Sequence, residues 1–264
     1  MKKLLALLIA SLLIICMIGC SNNNDNTNND EDEGNNVVVN EDLVYEGFKY
    51  GVNNTGSYEI LGYVGNAKEI TVPSSIDGRP VTGIGADAFK SLMNVTSVTL
   101  PDSITYIADF AFSNCDYITT ITLPASITEI GTGAFYDCSA LESITLSENT
   151  KSLGDLAFFN CAKLSRITLP ATLESIGEAT FWNCDALTSV SIPASVKTIG
   201  RAAFLYCDNL AEITVNSATV ELADCALGGY IKVSEDKTVT IKAPANSTAK
   251  SFAESMNMTF VEIN

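Results

Sequence analysis

The sequence predicts a solenoid, a fold in which one small structural unit is stacked on copies of itself. Cysteine and phenylalanine each recur at every twenty-third position, and an aliphatic column keeps the same step. A period this strict is the signature of a repeat architecture. The three columns are Cys115, Cys138, Cys161, Cys184 and Cys207; Phe112, Phe135, Phe158, Phe181 and Phe204; and Leu100, Leu123, Leu146, Leu169, Ile192 and Val215.

Each unit is predicted to contain one short β-strand. Leu141, Ile144 and Leu146 follow the L-x-x-L-x-L pattern that is typical of leucine-rich repeats. Because Ile144 and Leu146 alternate with Ser143 and Thr145, the strand has one apolar and one polar face. The predicted fold is a leucine-rich repeat solenoid: a right-handed superhelix with one parallel strand per repeat, joined by short turns or helical corners. The expected strands lie at Ile70/Val72, Val98/Leu100, Ile121/Leu123, Ile144/Leu146, Ile167/Leu169, Val190/Ile192, Ile213/Val215 and Val239/Ile241.

The rest of each unit is predicted to form turns. Proline follows most of the strands and ends the pairing, because it cannot donate a backbone hydrogen bond. A small residue before each column phenylalanine predicts a tight corner with the ring inside. A recurring glycine is expected to adopt positive φ in a turn, at Gly131, Gly154, Gly177 and Gly200.

Both ends of the stack are expected to carry caps, because terminal units must cover an open core. Residues 44–63 predict an N-terminal hairpin that turns at residues 53–56. Near the C-terminus, Ser247 is expected to cap a short helix that precedes a strand at residues 260–263. A degraded unit before this cap has Leu227 in the phenylalanine column and Tyr230 in the cysteine column. The apolar stripe of the expected helix is Ala249, Phe252, Ala253 and Met256.

The N-terminal residues predict secretion and lipid anchoring. Lys2 and Lys3 precede an apolar run and a small residue at the expected cut, which is the layout of a signal peptide. This run is shorter than the roughly 20 residues that a transmembrane helix needs. Residues 17–20 (MIGC) resemble the lipobox of bacterial lipoproteins, which implies that Cys20 carries a lipid. An ordinary cleaved signal peptide is the alternative.

The chain is therefore expected to have five segments. The stretch after Cys20 is rich in asparagine and acidic residues and almost free of large apolar groups, so it cannot fold on its own. The segments are a signal peptide at 1–19, the lipidated cysteine and its tether at 20–42, an N-terminal cap with a first irregular repeat at 43–93, regular repeats at 94–215, and a degraded repeat with a helix-strand cap at 216–264.

Composition excludes several function classes. The net charge of −16 repels nucleic acid and anionic membrane surfaces. The chain has no histidine, which removes Ser-His-Asp and Cys-His catalysis and histidine-bearing zinc sites. No phosphate-binding or dinucleotide glycine motif is present, and no pair of carboxylates stands out as a glycosidase site. We expect a non-enzymatic protein with no cofactor and no metal.

The cysteine column is open to three interpretations: metal ligands, disulfides or packing. Stacked units bring neighbouring Cα atoms to about 5 Å, a distance that a disulfide permits. The number of column members is odd, however, and Leu92 holds the equivalent position one step before Cys115. Buried free thiols, which behave as small hydrophobes, are the favoured interpretation.

Two outward columns are candidate binding surfaces. The polar strand face carries Thr122, Thr145 and Thr168, with Arg166 in the neighbouring column. Strand propensity and cross-strand threonine pairing are the alternative explanation of this face. An aromatic residue follows several column phenylalanines and predicts a row of rings along one edge, suited to stacking on a sugar or a protein. Ordinary packing of a turn is the alternative explanation of this row, which comprises Tyr136, Phe159 and Trp182.

The recurring motifs Ile-Thr-Leu-Pro, Ile-x-x-Ile-Gly and Ala-Phe-x-x-Cys resemble the BspA-like (Treponema pallidum-type) leucine-rich repeats. The resemblance covers residues 43–264, including the N-terminal flank at residues 58–63 and 77–81. It implies a lipoprotein on the cell surface, anchored in a membrane by its lipid, that adheres to a protein or glycan and does not catalyse a reaction. We expect a monomer. A structural or accessory envelope lipoprotein without a specific ligand is the alternative function.

Overall fold

The computed structural model describes residues 43–228 and 239–263. The signal peptide, Cys20, the tether and Tyr230 therefore lie outside the described residues. The elements in chain order are β1 (Val44–Tyr45), β2 (Phe48–Val52), β3 (Tyr58–Tyr63), β4 (Glu69–Thr71), β5 (Ser75–Ile76), β6 (Arg79–Ile84), β7 (Ser97–Thr99), β8 (Tyr106–Ile107), β9 (Thr120–Thr122), β10 (Glu129–Ile130), β11 (Ser143–Thr145), β12 (Ser152–Leu153), β13 (Arg166–Thr168), β14 (Ser175–Ile176), β15 (Ser189–Ile192), β16 (Thr198–Ile199), β17 (Glu212–Val215), β18 (Glu221–Leu222), β19 (Thr240–Pro244), α1 (Thr248–Ser255) and β20 (Thr259–Ile263).

The predicted strands form the first side of a β-solenoid. They pair in parallel as two ladders, β4-β7-β9-β11-β13 and β15-β17-β19-β20. Ile144 pairs with Ile121 and Ile167, its equivalents in the preceding and following repeats, so one repeat makes one turn of the solenoid, here called a coil. The prediction of a leucine-rich repeat solenoid with short parallel strands is confirmed.

The expected register of the last repeat strand is wrong by two residues. Ile241, and not Val239, pairs with Ile213 in the neighbouring coil. Ile241 is fully buried, whereas Val239 is only partly buried. Burial of Ile241 thus fixes the register, and it moves Thr240 beside Glu212.

A second parallel ladder lies on another side of each coil and was not predicted. It runs β3-β6-β8-β10-β12-β14-β16-β18, and its repeat strands β8 to β18 contain only two residues each. Ile130 and its column partners are buried there and pair from coil to coil. A strand of two residues is too short to show alternation in the sequence.

Both predicted caps are present. The antiparallel strands β1, β2 and β3 extend the second ladder at its N-terminal end, and Asn53 Oδ1 closes the β2–β3 turn by accepting hydrogen bonds from Thr55 N and Ser57 N, both at 3.1 Å. At the other end, Ser247 Oγ accepts a hydrogen bond from Lys250 N at 3.2 Å and caps α1. No helix in the described part of the chain is long and apolar enough to cross a membrane.

The recurring glycines are required for a different structural reason from the one expected. None of the four has positive φ. A Cβ built on Gly154 would lie 2.5 Å from the carbonyl carbon of Gly131, and one on Gly177 would lie 2.7 Å from that of Gly154. Glycine is therefore required because the backbones of neighbouring coils approach closely, and not because of a left-handed turn.

Positive φ occurs instead at two other columns of the corner. One column includes Leu156 at φ 58° and the other includes Asn160 at φ 56°. Their amides donate to the carbonyl oxygens of Glu178 and Trp182 in the next coil, both at 2.8 Å. The corners are turns whose left-handed residues direct amides along the stack, which satisfies backbone groups that a buried corner would otherwise leave unpaired.

The phenylalanine and cysteine columns are linked inside the core. The column rings stack in parallel from Phe89 to Phe204, with centroids 5.0 to 5.4 Å apart. Each column cysteine donates its S–H to the carbonyl oxygen of a phenylalanine in the preceding coil, as Cys161 does to Phe135 at 3.2 Å. Each of these buried carbonyl oxygens can accept two hydrogen bonds. The thiol thus supplies a donor that the backbone amides alone do not provide. The cysteines of the described residues are free.

Two departures from the repeat pattern keep their polar groups satisfied. Ser147 replaces the proline that follows the strand, and its hydroxyl donates to Ala125 O at 2.9 Å and accepts from Asn149 N at 3.0 Å. Thr180 replaces the alanine before Phe181, and its hydroxyl donates to Gly177 O at 2.8 Å. Both substitutions therefore fit the coil without an orphaned hydroxyl.

A buried carboxyl lies where the N-terminal cap meets the first coils. Glu59 is only 3% exposed, and its Oε2 atom has no hydrogen-bond partner among the described residues. Burial raises the pKa of the Glu59 carboxyl, and burial also raises the pKa of Tyr106, to about 12. Ionisation of Glu59 therefore opposes docking of the cap.

Substitution of Gly154 by alanine is expected to lower the free energy of unfolding by about 1–3 kcal/mol, because the added methyl group overlaps the backbone of the preceding coil. Guanidinium titration measures this change. Gly62→Ala is the matched control, since its added Cβ has no neighbour closer than 3.5 Å. Equal stability of the two variants would contradict the close-approach explanation.

Alkylation of the native protein is expected to be much faster at Cys225 than at the column cysteines. Burial raises the pKa of the Cys207 thiol to about 12 and that of Cys184 well above its ordinary value, so both stay protonated at pH 8. Burial also raises the pKa of Cys225, but this thiol is only partly buried, so access to the reagent sets it apart. Iodoacetamide at pH 8 should modify Cys225 about a hundredfold faster or more, as read by mass spectrometry. Comparable rates, or column cysteines that resist alkylation after denaturation without reductant, would refute this assignment.

Replacement of Glu59 by glutamine is expected to remove one pH dependence of stability. A carboxyl with a raised folded-state pKa gives its full contribution below its unfolded pKa of about 4.3 and loses it as the pH rises through the folded value. The stability of E59Q relative to wild type should therefore increase from about pH 4 to about pH 8. Thermal unfolding across this range measures the difference, and a constant difference would show that Glu59 ionises as it does in the unfolded chain.

Candidate binding surfaces

The polar strand face consists of two outward columns on the first side of the solenoid, and it crosses from the β4–β13 ladder to the β15–β20 ladder. In the three-residue strands β9 and β11, the first and third residues are exposed and the middle residue is buried. The register places Thr145 between Thr122 and Thr168, so the predicted threonine column is continuous. Over strands β7 to β15 this hydroxyl face contains nine hydroxyl residues and one arginine: Ser97, Thr99, Thr120, Thr122, Ser143, Thr145, Arg166, Thr168, Ser189 and Ser191.

This hydroxyl face has no carboxylate, although acidic residues outnumber basic ones 31 to 15 in the chain. Acidic side chains appear in its columns only at the ends, at Glu69 and Glu212. Glu212 is neutralised there by Lys242, which lies 2.8 Å away. The middle of the face is therefore a hydrogen-bonding surface of low charge density on a strongly acidic molecule.

The predicted aromatic row is also present. The rings of Tyr136 and Phe159 stack with centroids 4.8 Å apart, and Trp182 follows at 6.0 Å. The structure adds Phe110 and Tyr206 at the two ends, 6.2 Å from Tyr136 and 4.8 Å from Trp182. These two residues belong to other columns of the repeat, so a search at the repeat step missed them. A search for aromatic residues placed slightly more than one repeat from a member of the row could have found them.

Burial changes what this row can do. Trp182 is only 7% exposed, and Tyr136 and Phe159 are partly buried. Both faces of the Phe159 ring are covered, by Tyr136 and by Trp182. Burial raises the pKa of Tyr136, and the carboxylate of Asp137 raises it further. The two faces of the central ring are therefore closed to a sugar, which would need an open ring face for stacking.

A ladder of polar side chains supports the row at the adjacent column. Asn183 Nδ2 donates to Asn160 Oδ1, and Asn160 Nδ2 donates to Asp137 Oδ1. All three residues have positive φ, which asparagine and aspartate tolerate better than most residues. Burial raises the pKa of Asp137. The aromatic edge thus combines ring stacking with an amide ladder, both of which are packing contacts between coils.

The chemistry available elsewhere is limited. No group of three or more potential metal ligands occurs in the part of the chain that the structure describes. A cavity of about 490 Å³ lies between β18 and α1, and Asp224 and Cys225 are the titratable residues that line it. Neither residue has a histidine to activate it, because the chain contains none.

Comparisons with known proteins agree with this architecture. The model of the BspA type leucine-rich repeat region matches in six copies over residues 57–187 and 130–259. No curated protein matches the chain significantly. The crystal structure of the leucine-rich repeat protein of T. pallidum is similar at a TM-score of 0.69 and 27% identity, covering 83% of this chain and 97% of that one.

A second solved structure is a leucine-rich cell surface protein of Faecalibacterium prausnitzii. Its TM-score is 0.53 at 25% identity, and the match covers 78% of this chain and 49% of that one. The family match spans residues 57–259. It agrees with the repeat motifs of the sequence and with the observed coils. The chain belongs to the BspA-type leucine-rich repeat family.

Proposed function

We propose that this protein is a non-enzymatic binding lipoprotein of the cell surface that recognises a protein partner through its hydroxyl face. One observation carries the proposal: the outward strand residues of β7 to β15 include no carboxylate, on a chain of net charge −16. A solenoid of this kind provides a rigid, extended surface for a partner.

The composition of the hydroxyl face supports binding. Short hydroxyl side chains lose little conformational entropy when a partner immobilises them, and each hydroxyl both donates and accepts a hydrogen bond. Outside this face, acidic residues repel acidic partners over most of the surface. The low charge of the face removes that repulsion at one place.

The hydroxyl face fits this purpose better than the aromatic row does. Ring faces in the row are covered by neighbouring rings, and Trp182 is almost fully buried. Tyr136, Phe159 and Trp182 therefore stabilise the corner, and their removal would damage the stack. We favour a protein over a glycan for the same reason, because the row offers no exposed ring platform.

Location at the cell surface is part of the proposal. Similarity to a cell surface protein of F. prausnitzii supports it, as do the basic start, the apolar run and the MIGC sequence at residues 17–20. Cys20 would carry the lipid, and residues 21–42 would serve as a hydrophilic tether between the membrane and the solenoid.

Replacement of Thr145 by glutamate is expected to weaken partner binding at least about tenfold, because it puts a charge in the middle of the face without disturbing buried contacts. Surface plasmon resonance against a panel of extracellular matrix proteins and bacterial surface proteins measures saturable binding. Thr198→Glu is the matched control, since Thr198 is an exposed strand residue on the second ladder. Absence of saturable binding across the panel, or equal losses in both variants, would refute the proposal.

A further inference from the structure

We propose that Arg166 is the specificity-determining residue of the hydroxyl face and binds a carboxylate on an extended peptide segment of the partner. This inference rests on the proposed function and gives the chemistry of the partner.

Arg166 is an unpaired cation in an acidic protein. Its side chain forms no ion pair or hydrogen bond with any residue that the structure describes. The other two arginines are engaged: Arg201 pairs with Glu178 at 2.6 Å, and Arg79 lies over the ring of Tyr58 at 4.8 Å. The guanidinium group of Arg166 thus retains all of its donors for a partner.

The repeat explains why Arg166 lacks an acid. Where cations pair between coils, an acid holds the equivalent or a nearby position on the neighbouring coil, as Glu174 does for Lys197 and Glu212 for Lys242. The residue that pairs with Arg166 across the ladder is Ser143, and the next coil has Ser189 at this position. Arg166 therefore has hydroxyl residues at its position on both neighbouring strands. These hydroxyls can hydrogen-bond a carboxylate that Arg166 binds, but they cannot neutralise the charge of the guanidinium group.

The shape of the face selects an extended segment. Five strands spaced about 4.8 Å apart cover about 19 Å along the stack, while the two exposed columns are only about 7 Å apart. An extended peptide rises about 3.3 Å per residue, so about six residues fit this strip. Threonine and serine hydroxyls on both columns can bind the peptide amides, and the planar fork of Arg166 matches a carboxylate of Asp or Glu.

Selection of random peptides of about 12 residues, twice the length of this strip, on the full chain in detergent tests this assignment. Peptides selected on wild type should be enriched in Asp and Glu, and Arg166→Gln should weaken their binding at least about tenfold. Arg166→Lys should give an intermediate loss, because it keeps the charge without the bidentate fork. Lys163→Gln is the control: it removes the same charge from an exposed residue outside the strand and should leave binding unchanged.

The outcomes separate this inference from the proposed function. Peptides whose binding is lost in Thr145→Glu but kept in Arg166→Gln would overturn the role of Arg166 and leave the hydroxyl face as the binding surface. Peptides insensitive to both substitutions, or no selected peptide, would overturn both. Equal losses in Arg166→Gln and Lys163→Gln would also overturn the inference, because they would show attraction to net charge alone.

Discussion

The whole structure depends on the close and regular stacking of one coil on the next. Backbone hydrogen bonds between coils fix this spacing on both ladders and at the corner. At this spacing Gly154 has no room for a methyl group, and the phenylalanine rings lie in parallel contact. The thiol of each column cysteine donates to a phenylalanine carbonyl of the preceding coil. Each position must therefore suit its equivalents in the two neighbouring coils, which explains why whole columns share one residue type.

The same constraint separates the residues that stabilise the stack from those that remain available to a partner. Inward columns are committed to packing, and the aromatic row is committed in the same way, since its rings cover one another. Most outward strand residues of β7 to β15 are less committed, because the backbone ladder makes the main contacts between their coils, although Ser191 accepts a hydrogen bond from Asn216 Nδ2 at 3.2 Å. Their composition is therefore less constrained by packing than that of the inward columns, and this freedom makes a carboxylate-free face informative about binding.

The sequence was sufficient for the fold and for part of the candidate site. A strict period and the alternation around Ile144 predicted the strands, the phenylalanine column and the hydroxyl face. The second ladder was missed because two-residue strands have no periodicity to detect. The expectation of positive φ at Gly154 was wrong. A sequence shows that a glycine recurs, but it does not show whether a positive φ or the close approach of another backbone requires the glycine. The burial of Trp182 was also out of reach, because it depends on Tyr206, which belongs to another column.

The central claim is that a partner lies on the hydroxyl face and not on another side of the solenoid. A photoreactive benzoylphenylalanine placed at position 145 on the hydroxyl face, at 198 on the second ladder or at 159 in the aromatic row tests it most directly. A bound protein partner is expected to cross-link to the chain labelled at 145 and not to the chains labelled at 198 or 159. Cross-linking from 198 or 159 without cross-linking from 145 would contradict it.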